Sequence, residues 1–115
     1  MPGNELRRLC ALEDIESPGS ARFDIDPGSG HHGICVVRVG ENVYGYLNSC
    51  PHTAAPMDWL PGQFLDMTLT YIQCSLHGAQ FRIRDGFCVY GPCAGEFLVP
   101  VNLVRRGNDI FLEEF

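Results

Sequence analysis

Glycine and proline set the terms for this chain. Thirteen glycines and eight prolines cut its 115 residues into short segments, most of them rich in β-branched and aromatic side chains. Branching at Cβ stiffens a side chain against the preceding helical turn and packs well on a pleated surface, so such segments favour strands. Ile34-Cys35-Val36-Val37-Arg38-Val39, a turn at Gly40-Glu41-Asn42 and Val43-Tyr44-Gly45-Tyr46-Leu47 read as a β-hairpin. A second hairpin joins 81–84 to 87–90 through Asp85-Gly86, a dipeptide suited to the positive φ angles of a type I′ turn. A third pairs 99–104 with 110–112 across 106–109, and residues 6–12 and 69–74 read as further strands. Only 12–17 and 57–64 have room for a helical turn, the second limited by Pro56 and Pro61. The expected fold is all-β, a small antiparallel sandwich or barrel, and the length fits one domain spanning 1–115.

Composition narrows the function. No apolar run approaches the roughly 20 residues that cross a bilayer, so no membrane span is expected. The start, Met-Pro-Gly-Asn-Glu-Leu-Arg-Arg, has no apolar stretch behind its charges, so a secretory leader is not expected and the cytoplasm is the expected compartment. Eight basic residues, all arginine, face fourteen acidic ones, a net charge of −6. An acidic surface without a basic stripe is unsuited to phosphate backbones and favours basic protein partners, so nucleic acid is not expected.

Six cysteines are many for this length. A disulfide framework needs an oxidising compartment, whereas clustered Cys and His in a cytoplasmic chain point to metal. Two loops, Asn48-Ser49-Cys50-Pro51-His52-Thr53-Ala54-Ala55-Pro56 and Gln73-Cys74-Ser75-Leu76-His77-Gly78-Ala79, each follow a strand and each offer a thiol and an imidazole. Cys50-x-His52 and Cys74-x-x-His77 stand 21 residues apart. Thiolate and imidazole suit iron–sulfur or zinc and suit calcium and magnesium poorly. One tetrahedral zinc would accept Cys₂His₂. A single residue between two ligands fits better when they serve two metals, as in a [2Fe–2S] rhombus with both thiolates on one iron and both imidazoles on the other.

On these residues the chain resembles the Rieske [2Fe–2S] family, whose two boxes stand here as Cys50-Pro51-His52 and Cys74-Ser75-Leu76-His77-Gly78. The resemblance runs on through Phe81, Asp85-Gly86 and Gly91-Pro92. It implies a cluster-binding subdomain inserted in the β framework, with binding loops at about 48–57 and 73–79. Cys50 and Cys74 would bind the buried iron, His52 and His77 the iron nearer the surface, and 90–95 would form the loop that covers the cluster. The segment between the boxes is a few residues longer than is usual, so 58–69 is expected to form an extra surface turn.

The implied function is that of a soluble Rieske-type ferredoxin: a monomeric one-electron carrier with one [2Fe–2S] cluster, not an enzyme, whose protein redox partners are a flavin reductase and a non-haem iron oxygenase. Two ferric ions, two sulfides and two thiolates sum to zero charge with neutral imidazoles, and one added electron brings −1. Such small charges limit the cost of burial and raise the potential above that of all-cysteine ferredoxins. The alternatives are a redox or iron sensor, an accessory subunit of a larger oxidoreductase, and the Rieske domain of an oxygenase. The last needs a two-histidine–carboxylate iron site, for which only His31 and His32 remain.

Departures from the respiratory members of the family bear on the potential. Those proteins brace the cluster with a disulfide between positions that here hold Ala55 and Leu76. They also place Ser and Tyr hydroxyls on the cluster sulfurs, where this chain has Ala79 and Phe81. A low potential is expected. Of the other cysteines, Cys10 and Cys35 read as small buried hydrophobes, and Cys88 and Cys93 as packed thiols or a redox pair. His31-His32 reads as solvated, Met57 and Trp59 as cluster shields or core, and Gly78 as a positive-φ position or a point of close approach.

Overall fold

The computed structural model describes residues 5–24, 33–51, 56–58, 60–75 and 78–114. Among these residues nine strands run β1 (Glu5–Ala11), β2 (Gly19–Phe23), β3 (Ile34–Val39), β4 (Asn42–Leu47), β5 (Tyr71–Gln73), β6 (Gln80–Arg82), β7 (Cys88–Tyr90), β8 (Leu103–Arg106) and β9 (Asp109–Glu114). They form three antiparallel sheets of three strands, ordered β1-β9-β8, β2-β3-β4 and β5-β6-β7. Among the described residues no helix is long and apolar enough to cross a membrane. The only helical element described is the 3-10 turn Leu12–Asp14, within the expected 12–17. The described part of 57–64 makes turns instead of a helix.

β3 organises the molecule, because it is buried on both faces. Successive side chains of a strand point to opposite sides. Ile34 and Val36 enter a core with Cys10, Leu12, Ile15, Ile110 and Leu112, shared with the β1-β9-β8 sheet. Cys35 and Val37 enter a second core with Cys50, Met57, Phe64, Ile72, Cys74 and Phe81, shared with the β5-β6-β7 sheet. The central sheet is thus sandwiched, and the expected all-β sandwich with an inserted subdomain is the one found.

Two turns agree with the sequence reading and one corrects it. Val39 pairs with Asn42 and Arg106 with Asp109, leaving the two-residue turns Gly40-Glu41 and Gly107-Asn108. Each puts a positive-φ glycine first, which fits type II′. Asp85-Gly86 is not a two-residue I′ turn. The Arg82 amide donates to Phe87 O and the Gly86 amide to Arg82 O, so 83–86 form a four-residue loop in which Gly86 takes φ +75. The Asp85 carboxylate closes it by accepting from the Phe87 amide and pairing with Arg82.

The expected strand over 99–104 is also divided. Leu47 N donates to Val99 O and Val101 N to Gly45 O, so 99–101 lies along β4 before β8 joins β9. Pro100 has no amide to give a ladder, and the chain changes sheets there.

Candidate metal centre

Both cysteine loops leave strands of the central and inserted sheets, and both thiols are buried. Cys50 follows β4 and is 1% exposed; Cys74 follows β5 directly and is fully buried. The first loop closes on Asn48, itself completely buried. Its amide donates to Gly33 O (3.0 Å), its Oδ1 accepts from the Met57 amide (2.7 Å), and its Nδ2 donates to Asp58 Oδ1 (3.0 Å). One side chain therefore joins the start of the loop to its end. Asp58 Oδ2 accepts from the Gly62 amide (3.0 Å) and from Arg22 (3.4 Å), tying the loop to β2.

The second loop turns tightly. Gly78 N donates to Cys74 O and Cys74 N to Ala79 O. Gly78 has φ +70, the left-handed conformation expected of it, which a side chain would strain. The Ser75 amide donates to Met57 O (3.0 Å), which ties the second loop to the first.

The third loop lies against both. Gly91 has φ +105, and a Cβ on it would stand 2.8 Å from Ala79 Cα in the second loop. Cys93 lies close enough to Cys50 for their charges to interact. Burial, then the neighbouring Cys88, then Cys50 and Glu96, push the Cys93 thiol up to about 12. The neck of the turn is closed by Cys88 N to Glu96 O and Gly95 N to Cys88 O. The segment 58–69 makes turns closed by Gln63 N to Leu60 O and Leu69 N to Asp66 O. Buried Phe64 anchors it, while Met67 is fully exposed.

Of the four expected ligands, the structure brings Cys50 and Cys74 into one apolar core. His52 and His77 lie outside the described residues, as do His31, His32 and Trp59. Among the described residues no three Cys, His, Asp or Glu side chains converge on one point. Two soft thiols in tied loops supply half of a Cys₂His₂ donor set. Sulfur is a soft donor suited to iron–sulfur chemistry, so the two cysteines fit such a group. Met57 is fully buried in the same core as both cysteines, and Cys10 and Cys35 pack in the two cores as expected. Burial raises both of those thiols, Cys35 far above the ordinary range. Asn48 and Asp58 carried no signal in the sequence, since nothing local shows that they meet.

The family description "Rieske [2Fe-2S] domain" matches residues 8–105. The chain belongs to this family. Its cofactor is a [2Fe–2S] cluster. A search of curated proteins finds no match. Among solved structures, the chain is similar to the ferredoxin of carbazole 1,9a-dioxygenase from Nocardioides aromaticivorans IC177. The two are 26% identical with a TM-score of 0.75, over 96% of this chain and 98% of that one. It shares its fold with the Sphingomonas yanoikuyae B1 ferredoxin (20% identity, TM-score 0.72, 96% of this chain and 100% of that one). It also matches a structure described as a complex of reduced oxygenase and oxidized ferredoxin in carbazole 1,9a-dioxygenase (20% identity, TM-score 0.73, 94% and 92%).

Proposed function

We propose that this chain is a Rieske-type ferredoxin, a one-electron carrier that takes electrons from a reductase and delivers them to a non-haem iron oxygenase. The observation that carries the reading is the pair of buried cysteines, Cys50 and Cys74, on two loops tied by the Ser75–Met57 hydrogen bond in a Rieske-family chain. In this reading Cys50 and Cys74 hold one iron, and His52 and His77 hold the other. The bound cluster supplies a one-electron couple. The chain's own residues shield the thiolates with Met57, Phe64 and Phe81, fix the first loop through Asn48 and Asp58, and cover the site with the Gly91–Cys93 turn. The likeness to a dioxygenase ferredoxin over nearly the full length of both chains supports the choice of partners.

Anaerobically purified protein tests this. Iron and acid-labile sulfide in the ratio of the cluster formula, with an EPR signal on reduction, are expected. Replacing Cys50, His52, Cys74 or His77 singly with Ala removes both, whereas Cys10→Ala and Cys35→Ser keep the colour. Stoichiometric zinc without sulfide overturns the reading.

A further inference from the structure

Cys88 and Cys93 are not part of the expected ligand set, yet their sulfurs stand 3.2 Å apart. Each is 1% exposed. Cys88 Sγ also lies 3.2 Å from Tyr90 O. With the Cys88 proton donated to that carbonyl, the Cys93 proton is left to point at the Cys88 sulfur. The two thiols sit on opposite limbs of one closed turn, whose neck is held by the Cys88–Glu96 and Gly95–Cys88 backbone hydrogen bonds. A disulfide needs sulfurs about 2.05 Å apart, so the observed spacing has to close by about 1.1 Å. The residues next to the pair in sequence, Val89, Pro92 and Ala94, are exposed, so the pair lies close to the surface. A small oxidant has a short path, and a bulky disulfide does not.

We propose that Cys88 and Cys93 form a reversible dithiol–disulfide site, oxidised by hydrogen peroxide, that fastens the turn lying across the two cysteine loops. One sulfur attacks a peroxide oxygen, the O–O bond breaks, and a sulfenic acid and one water form. The second sulfur then displaces the sulfenic oxygen as a second water, and the S–S bond closes. Two electrons pass from the sulfurs to the peroxide, and both thiol hydrogens end in water. The pair uses other sequence positions than the respiratory brace, and its chemistry does not depend on the cluster.

The test uses the holoprotein, its cluster verified by EPR, titrated with hydrogen peroxide, then unfolded in acid and alkylated. Alkylatable thiols are expected to fall from six to four, with the peptide containing Cys88 and Cys93 lighter by two hydrogens and dithiothreitol restoring the count. Amide exchange over 88–96 is expected to slow severalfold in the oxidised protein, while peroxide-treated Cys93→Ser and Cys88→Ala show neither change. Six thiols surviving peroxide, a disulfide drawn from Cys10, Cys35, Cys50 or Cys74, or unchanged exchange overturns the proposal. Protein that shows no iron–sulfur signal before peroxide contradicts the electron-carrier reading instead, and its thiol count still decides this one.

Discussion

Asp58 is the residue on which the first cysteine loop closes. Its side chain is 1% exposed and accepts hydrogen bonds from Asn48 and Gly62 beside the Arg22 guanidinium. Burial raises its pKa, but the hydrogen bonds from Asn48, Gly62 and its own amide, with the charge of Arg22, outweigh that and leave it lowered. A lowered folded pKa contributes stability above the unfolded value, and this is lost as pH falls through the folded one. Asp58→Ala leaves buried donors unpaired and is expected to cost about 3 kcal/mol at pH 7 in urea unfolding. The gap to wild type should narrow below about pH 4. Asp109→Ala removes an exposed pair with Arg8 and should cost less than about 1 kcal/mol. Ala79 and Phe81, both fully buried, bring no hydroxyl to the cluster. The midpoint potential should therefore lie near −150 mV, at the low end of the roughly −150 to +300 mV Rieske range, and stay flat near neutral pH. Voltammetry giving a midpoint above about +100 mV rules this out. The ligand thiols were legible because spacing carries metal chemistry. For Cys88 and Cys93 the sequence left packed thiols and a pair both open, because only the closed turn brings its two limbs together.

Among the elements, β3 and β4 were legible residue by residue, since β-branched and aromatic runs flank a glycine turn. β2 was not. Its Gly-Ser-Ala-Arg-Phe sequence has little strand preference of its own, and it is a strand because all five residues pair with β3. The break at Pro100 was missed because the Val- and Leu-rich stretch 99–104 continues across a change of sheet. The third turn yields the prediction at this scale. Gly91 and Gly95 both take positive φ, +105 and +94, so an alanine strains either. Only at Gly91 does the new methyl also strike backbone, 2.8 Å from Ala79 Cα in the second cysteine loop; at Gly95 it meets nothing within 4 Å. Gly91→Ala should lift the turn and speed the bleaching of the cluster by an iron chelator severalfold over Gly95→Ala. Equal rates would mean that the turn does not protect the site.

At the scale of the whole molecule, three sheets stacked through the central one carry the cysteine loops at one end of the inserted sheet, where β5, β6 and β7 open into loops. The insertion was an expectation carried by the family resemblance of the two boxes, which fall between the hairpin at 34–47 and the one that ends the chain. The stacking of both outer sheets on β3 was hidden, since alternation along a strand buried on both faces leaves no polar side to read. Surface charge was open to counting, and it sets the last prediction. A net charge of −6 is spread over both halves of the chain with no basic cluster in its sequence. Around the third turn, exposed Tyr90, Phe97 and Val99 offer apolar contact beside Glu96. A partner with a basic face would be drawn in by the long-range field and then seated by short-range packing. Salt screens the first over about 8–10 Å near physiological ionic strength and leaves the second nearly untouched. Stopped-flow electron transfer from the reductase should therefore slow about tenfold between low and high ionic strength in its second-order rate constant. The first-order rate within the formed complex should hardly change. A second-order constant flat with salt would mean that the acidic surface plays no part in docking.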